Sequence, residues 1–134
     1  MTTCYLDASA IVKLATLEPE TDALREQLGR YDSRITSRIA TVEVPRALAR
    51  RGAESVAVGS EPIREVLMNL QLVELDESIA AGAAELGPPG LRSLDAIHLA
   101  SALAIGEELA ALVTYDARLA SAARAAGLTV MAPA

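Results

Sequence analysis

The fold this sequence predicts is a single α/β domain, a parallel sheet of five short strands flanked by helices on both faces. Three observations point there. Short apolar runs alternate along the chain with longer helix-periodic segments, and strands separated by helices call for a parallel sheet covered on both sides. The chain has 134 residues, so residues 1–134 read as one domain, long enough to bury a core. Hydrophobic residues make up 51% and charged ones 22%, a globular balance that argues against disorder.

In chain order, Thr3–Leu6 is the first apolar run. Ala8–Leu14 and Thr21–Leu28 read as helical, with Gly29 closing the second. Arg34–Thr36 is a brief strand, followed by a helix that reaches Arg51 and stops at Gly52. Pro62 falls in the first turn of a helix ending near Leu70, and Leu72–Leu75 reads as a strand. Asp76 or Ser78 caps an Ala-rich helix to Leu86, and Gly87-Pro88-Pro89-Gly90 is the strongest break in the chain. Ser93 then caps a helix through Gly106, and Ala111–Thr114 is a strand. Asp116 caps a helix closed by Gly127, and Leu128–Met131 is the last strand.

Composition excludes several functions. The only aromatic residues are three tyrosines, with no Phe and no Trp, which removes nucleic-acid platforms built on stacked aromatics. Alanine occupies 27 of the 134 positions, so helices are expected to lie close to their neighbours. The net charge of −6 cannot hold nucleic acid by bulk attraction. A single cysteine, Cys4, excludes an internal disulfide, fits a reducing compartment, and reads as a buried strand residue. The N-terminus lacks a basic n-region and Asp7 interrupts its apolar run, so no secretory signal is expected. The longest uncharged stretch, Ala96–Gly106, is too short to cross a bilayer. The expectation is a soluble cytoplasmic domain without membrane contact.

In a parallel α/β sheet, sites form outside the carboxyl ends of the strands. Asp7 directly follows the first strand, and Asp116 follows Ala111–Thr114. Asp95 sits in the first turn of the helix entered through Ser93, and Glu43 lies on the helix after the second strand. Each has an ordinary explanation. Asp116 and Asp7 can cap helices, Asp95 complements a helix dipole, and Glu43 can pair with Arg46 or Arg50 along one helix face. As a set these explanations weaken, because several acids gathered at one edge of a sheet repel one another.

Tyr5-Leu6-Asp7-Ala8-Ser9-Ala10-Ile11-Val12-Lys13-Leu14 resembles the opening motif of PIN-domain ribonucleases. Thr41-Val42-Glu43-Val44, followed by Arg46-Ala47-Leu48, resembles their second acidic motif. Leu94-Asp95-Ala96-Ile97-His98-Leu99-Ala100 is similar to the third and Val113-Thr114-Tyr115-Asp116 to the fourth. The motifs occur in family order across essentially the whole chain, and a stand-alone domain of this size most resembles the VapC toxins of bacterial toxin–antitoxin pairs. One departure is Pro45, two residues after Glu43, where a proline inside a helix removes a hydrogen bond. The helix therefore starts late, near Val42–Val44, or bends there.

An all-oxygen set suits Mg²⁺ or Mn²⁺, while zinc would want several Cys and His, of which this chain has one each. Asp7, Asp95 and Asp116 are the expected metal ligands, direct or through water, and Glu43 binds through water or orients the nucleophile. Ser9 and Thr114 are expected to donate hydrogen bonds to the acids. His98 is the only histidine, which excludes a metal-free ribonuclease that uses two. It shares a helix face with Asp95 and reads as a packed or hydrogen-bonded side chain, with a ligand role as the alternative. Arg46, Arg50 and Arg51 form a stripe on the helix of Glu43, and Arg92 precedes Asp95; these can grip RNA phosphates. A phosphoacceptor domain would need an early acidic pair and a late lysine, but Lys13 is the only lysine. A DxD phosphatase would need an acid where Ser9 stands.

The resemblance implies an endoribonuclease that leaves a 5′-phosphate and a 3′-hydroxyl. It also implies a VapB-type antitoxin whose C-terminal segment occupies the acidic groove, and a homodimer, for which Val66–Leu75 or Thr21–Leu28 could supply the interface. The alternative is a PIN-like module that binds protein or RNA without catalysis.

Overall fold

Every residue of Thr3–Leu6 (β1) is buried, because this strand lies at the centre of the sheet. A computed structural model describes residues 2–134. Ser33–Ser37 (β2), Gln71–Val73 (β3), Leu109–Val113 (β4) and Val130–Met131 (β5) complete one sheet in the order β3-β2-β1-β4-β5. Every pairing is parallel. Between the strands run Ala8–Ala15 (α1), Thr21–Leu28 (α2), Ala40–Arg50 (α3), Ala53–Met68 (α4), Glu77–Glu85 (α5), Ser93–Ile105 (α6) and Ala117–Ala125 (α7).

The two-residue period of a strand sorts β1 between two cores. Cys4 and Leu6 join Ile11, Leu24, Val44, Leu48 and Ile63 under α1–α4. Tyr5 points the other way, among Leu99, Leu112, Leu119 and Ala123 under α6 and α7. Each fully buried aliphatic side chain contributes about 1.5–3 kcal/mol, so both layers are needed to hold the sheet. The chain builds outward from β1 to β3, then returns across the sheet to lay β4 on the other side of β1. The β1/β4 junction is thus the point where strand order reverses, and the crevice of such a sheet opens beyond its carboxyl ends.

Several boundaries differ from the sequence expectation. Pro62 lies deep inside α4, which begins at Ala53 directly after Gly52. Gly52 has φ of 112°, the left-handed region that lets α3 turn straight into α4. Close packing of α4 on α3 carries the helix on towards Pro62: a Cβ on buried Gly59 would meet Leu48 Cδ1 and Cδ2 at 2.9 Å. Helix α3 begins at Ala40, so it does not start late and Pro45 falls within it. Its first turn is tightened instead, with Val42 and Glu43 amides both donating to the Ile39 carbonyl at 3.0 Å. Ser93 is the first helical residue of α6 and Arg92 occupies the cap position, without a side-chain capping bond. In α2, Leu24 and Leu28 are spent on the core, whereas Met68 and Leu75 stay exposed. Cys4 is free and buried. Among the described residues no helix is long and apolar enough to cross a membrane.

The α3–α4 contact makes two opposite predictions for glycine. Gly59→Val should lower stability by about 1–3 kcal/mol through overpacking against Leu48. Gly82→Ala in α5, whose new Cβ would meet Ala100 Cβ at an ordinary 3.9 Å, should raise it by about 0.5–1 kcal/mol. Urea unfolding midpoints measure both.

Candidate active site

Asp7 is the first residue beyond β1, and its extended backbone makes it the N-cap of α1. Its Oδ1 accepts from the Ala10 amide at 3.0 Å and from Ser9 Oγ at 2.7 Å. Its Oδ2 accepts from Thr114 Oγ1 at 2.6 Å. Thr114 stands just past β4, so this bond crosses the β1/β4 junction. Two more bonds close the clasp: the Tyr115 amide donates to Ser9 Oγ at 2.9 Å, and the Asp116 amide to Thr114 Oγ1 at 3.0 Å. Ser9 and Thr114 therefore support Asp7 as expected, and they also set the backbone that presents Asp116.

Asp116 caps α7, its Oδ1 accepting from the Arg118 and Leu119 amides at 2.8 and 3.3 Å. Asp95 lies half-buried in the first turn of α6. Glu43, in the first turn of α3, pairs with neither Arg46 nor Arg50. Its Oε1 meets His98 Nε2 at 2.6 Å, because α6 packs where the sequence shows no neighbour. His98 is buried and its Nδ1 lies 2.7 Å from Tyr5 Oη, so its hydrogen-bonded reading holds. Tyr5 went unrecognised as a site residue; its burial at the centre of β1 was legible, its partner across 93 positions was not.

The electrostatics tie the four acids together. Burial pushes the Asp7 carboxyl up, while Thr114, Ser9, His98 and the Ala10 amide oppose the shift. Asp95 is raised first by burial and then by the charge of Asp116; Asp7 and Glu43 add to the rise and His98 opposes it. Four acids from four separate segments act within one field. Among the described residues, no three His, Cys, Asp or Glu side chains converge closely enough to coordinate an ion.

The donor chemistry nevertheless fits a hard dication. Among the described residues no protein donor reaches either Asp95 oxygen, Glu43 Oε2 or Asp116 Oδ2, which leaves oxygen lone pairs open. A dication relieves the repulsion that raises Asp95, and oxygen ligands alone select Mg²⁺ or Mn²⁺ over zinc. Arg46, Arg50 and Arg92 are exposed and make no ion pair among the described residues, whereas Arg51 reaches Glu18 at 3.8 Å. None of the four acids lines the three larger concavities, of about 860, 780 and 730 Å³, which lie between α3 and α4, between α7 and the segment 87–91, and beside α2.

Acids gathered at the switch point of a parallel sheet stand where such sheets bind their ligands. Residues 4–125 match the PIN domain. Ribonuclease VapC46 of Mycobacterium tuberculosis is 45% identical over 133 residues, covering 99% of each chain. Ribonuclease VapC35 of the same species is 46% identical over 133 residues, covering 96% of each. The chain belongs to the PIN-domain family, and within it to the VapC ribonucleases. Two solved structures share the fold at low identity. VapC20 of Mycobacterium tuberculosis, described as a sarcin-ricin loop cleaving toxin, superposes with TM-score 0.71 at 14% identity over 97% of this chain and 99% of that one. VapBC2 of Rickettsia felis, bound to a promoter DNA fragment, gives 0.72 at 16% over 97% and 98%.

Two substitutions test this description of the site. Thr114→Val leaves Asp7 Oδ2 and the Asp116 amide without their partner and should cost about 1–3 kcal/mol. Asp95→Asn should instead raise the melting temperature, more at pH 7 than at pH 4. A carboxyl held above the ordinary aspartate range penalises the fold once it ionises, and that penalty vanishes at low pH. Thermal unfolding of both variants at the two pH values checks the signs.

Proposed function

We propose that this VapC ribonuclease is the toxin of a type II toxin–antitoxin pair, a metal-dependent endoribonuclease that hydrolyses a phosphodiester of a specific cellular RNA. The observation that carries the reading is the hydrogen-bonding that links Asp7 to Asp116 through Thr114 and sets Glu43 against His98, one turn from Asp95, beside carboxylate oxygens that no protein donor fills among the described residues. Asp7, Asp95 and Asp116 would hold Mg²⁺ or Mn²⁺. When bound, the ion supplies a water of lowered pKa and stabilises charge on the attacked phosphoryl group.

The chain's own groups do the rest. Ser9 and Thr114 fix the Asp7 carboxylate so that its remaining lone pair faces one way. Glu43 orients the attacking water and takes its proton through Oε2, the oxygen left free by His98. Arg46, Arg50 and Arg92 grip phosphates flanking the scissile bond. The products are a 5′-phosphate and a 3′-hydroxyl. With a net charge of −6, nonspecific binding is weak, so contact is selective for one structured RNA.

A VapB-type antitoxin neutralises the enzyme by laying a C-terminal segment over the acids, where an arginine can pair with them and exclude the ion. A homodimer would bury the exposed Val56, Val58 and Met68 of α4 and Leu75 after β3. The reading places the protein in the cytoplasm, where the substrate is found. Cys4 suits that setting, since burial pushes its thiol up to about 11 and leaves it inert.

Purified protein incubated with total cellular RNA tests the proposal. With Mg²⁺ or Mn²⁺, discrete cuts should appear; EDTA should abolish them, and Asp7→Asn and Asp95→Asn should each reduce the rate on the order of 10³-fold. Folded, antitoxin-free protein that cuts no better than the two variants would favour a binding module.

A further inference from the structure

We infer that His98 is a positioning residue for the hydrolysis, its Nε2–H holding the Glu43 carboxylate while Tyr5 braces the imidazole from behind. The inference rests on the nuclease reading above and goes beyond it in giving His98 and Tyr5 a part. Ionised Glu43 can only accept, so the proton between the two side chains sits on His98 Nε2. In the neutral ring Nδ1 then accepts from the Tyr5 hydroxyl 2.7 Å away, and in the imidazolium it donates to the same oxygen, so the brace holds in either charge state. The two rings meet edge-on, with centroids 5.7 Å apart and planes at 75°. His98 is 1% exposed, so the imidazole has no room to choose another orientation.

The connection matters because of what each element carries. Tyr5 lies on β1, which leads to Asp7, and His98 lies on α6, one turn after Asp95. Glu43 alone comes from α3, on the opposite face of the sheet. His98 is the only protein group among the described residues that hydrogen-bonds its side chain. Without it, a side chain with three rotatable bonds would wander over several rotamers. With it, the second acid is referenced to the elements that supply the first and third.

The test combines spectroscopy and kinetics. His98 is the only histidine, so a long-range ¹H–¹⁵N spectrum of labelled protein reports one imidazole, without RNA or metal. The expected signature is a proton on Nε2 that exchanges slowly in wild type and rapidly in Glu43→Ala; a neutral Nδ1–H tautomer would overturn the proposal. In RNA cleavage, His98→Asn should lower kcat about 10–100-fold with KM changed less than about twofold. In a Glu43→Ala background the same substitution should cost nothing more, whereas losses that multiply would overturn it. Tyr5→Phe, which keeps the ring and its packing, should lower kcat by a smaller factor and decides the case if His98→Asn does not fold; an unchanged kcat there counts against the brace. Wild-type protein that cuts no RNA at all refutes the nuclease reading, and the imidazole spectrum then judges the His98–Glu43 pair by itself.

Discussion

Asp7 is the constraint around which this protein is arranged. A carboxylate that is only 4% exposed costs several kcal/mol to desolvate unless donors surround it. Three do: the Ser9 hydroxyl, the Ala10 amide and the Thr114 hydroxyl. Two of these come from the first turn of α1, directly after β1, and the third from the segment after β4, so satisfying one buried charge fastens the two central strands at the end where the sheet opens. The same bonds pass on to the Tyr115 and Asp116 amides, which sets the start of α7. Structure and site are here one network.

The rest of the sheet exists to hold that junction open at one end and closed everywhere else. Thr36 Oγ1 donates to the Leu6 carbonyl at 2.6 Å, securing the residue before Asp7 from the other side. Helix α6 is buried through its middle, at Ala96 and from His98 to Ala102, pressed between the sheet and α5, and small side chains let it approach closely. That depth is what puts Asp95 into the field of Asp116 and His98 against Tyr5. Folding thereby works against charge repulsion at the site, a strain that stable proteins tolerate where function needs it.

Much of this was legible from residues alone. Asp7, Asp76 and Asp116 are followed by helical segments and do cap them, since capping is a local property of short acidic side chains. The apolar run Thr3–Leu6 is a strand buried at every residue, as a central strand of a sheet covered on both faces must be. What stayed hidden depended on distant partners. Pro62 marks a helix start by local rule, yet α4 runs through it because Gly59 seats the helix on Leu48. Glu43 has arginines at helical spacing, yet its partner is 55 positions away. Such contacts belong to tertiary packing, which overrides local preference.

The central claim is that Asp7, Asp95 and Asp116 bind one divalent cation, with Glu43 beside them. Calorimetric titration of Mn²⁺ into the purified, metal-free chain tests it without any RNA. The account predicts saturable binding in wild type that weakens sharply in both Asp7→Asn and Asp95→Asn, because each removes charge from the shared field. Wild-type protein that shows no saturable heat, or variants that bind as tightly as wild type, would contradict it.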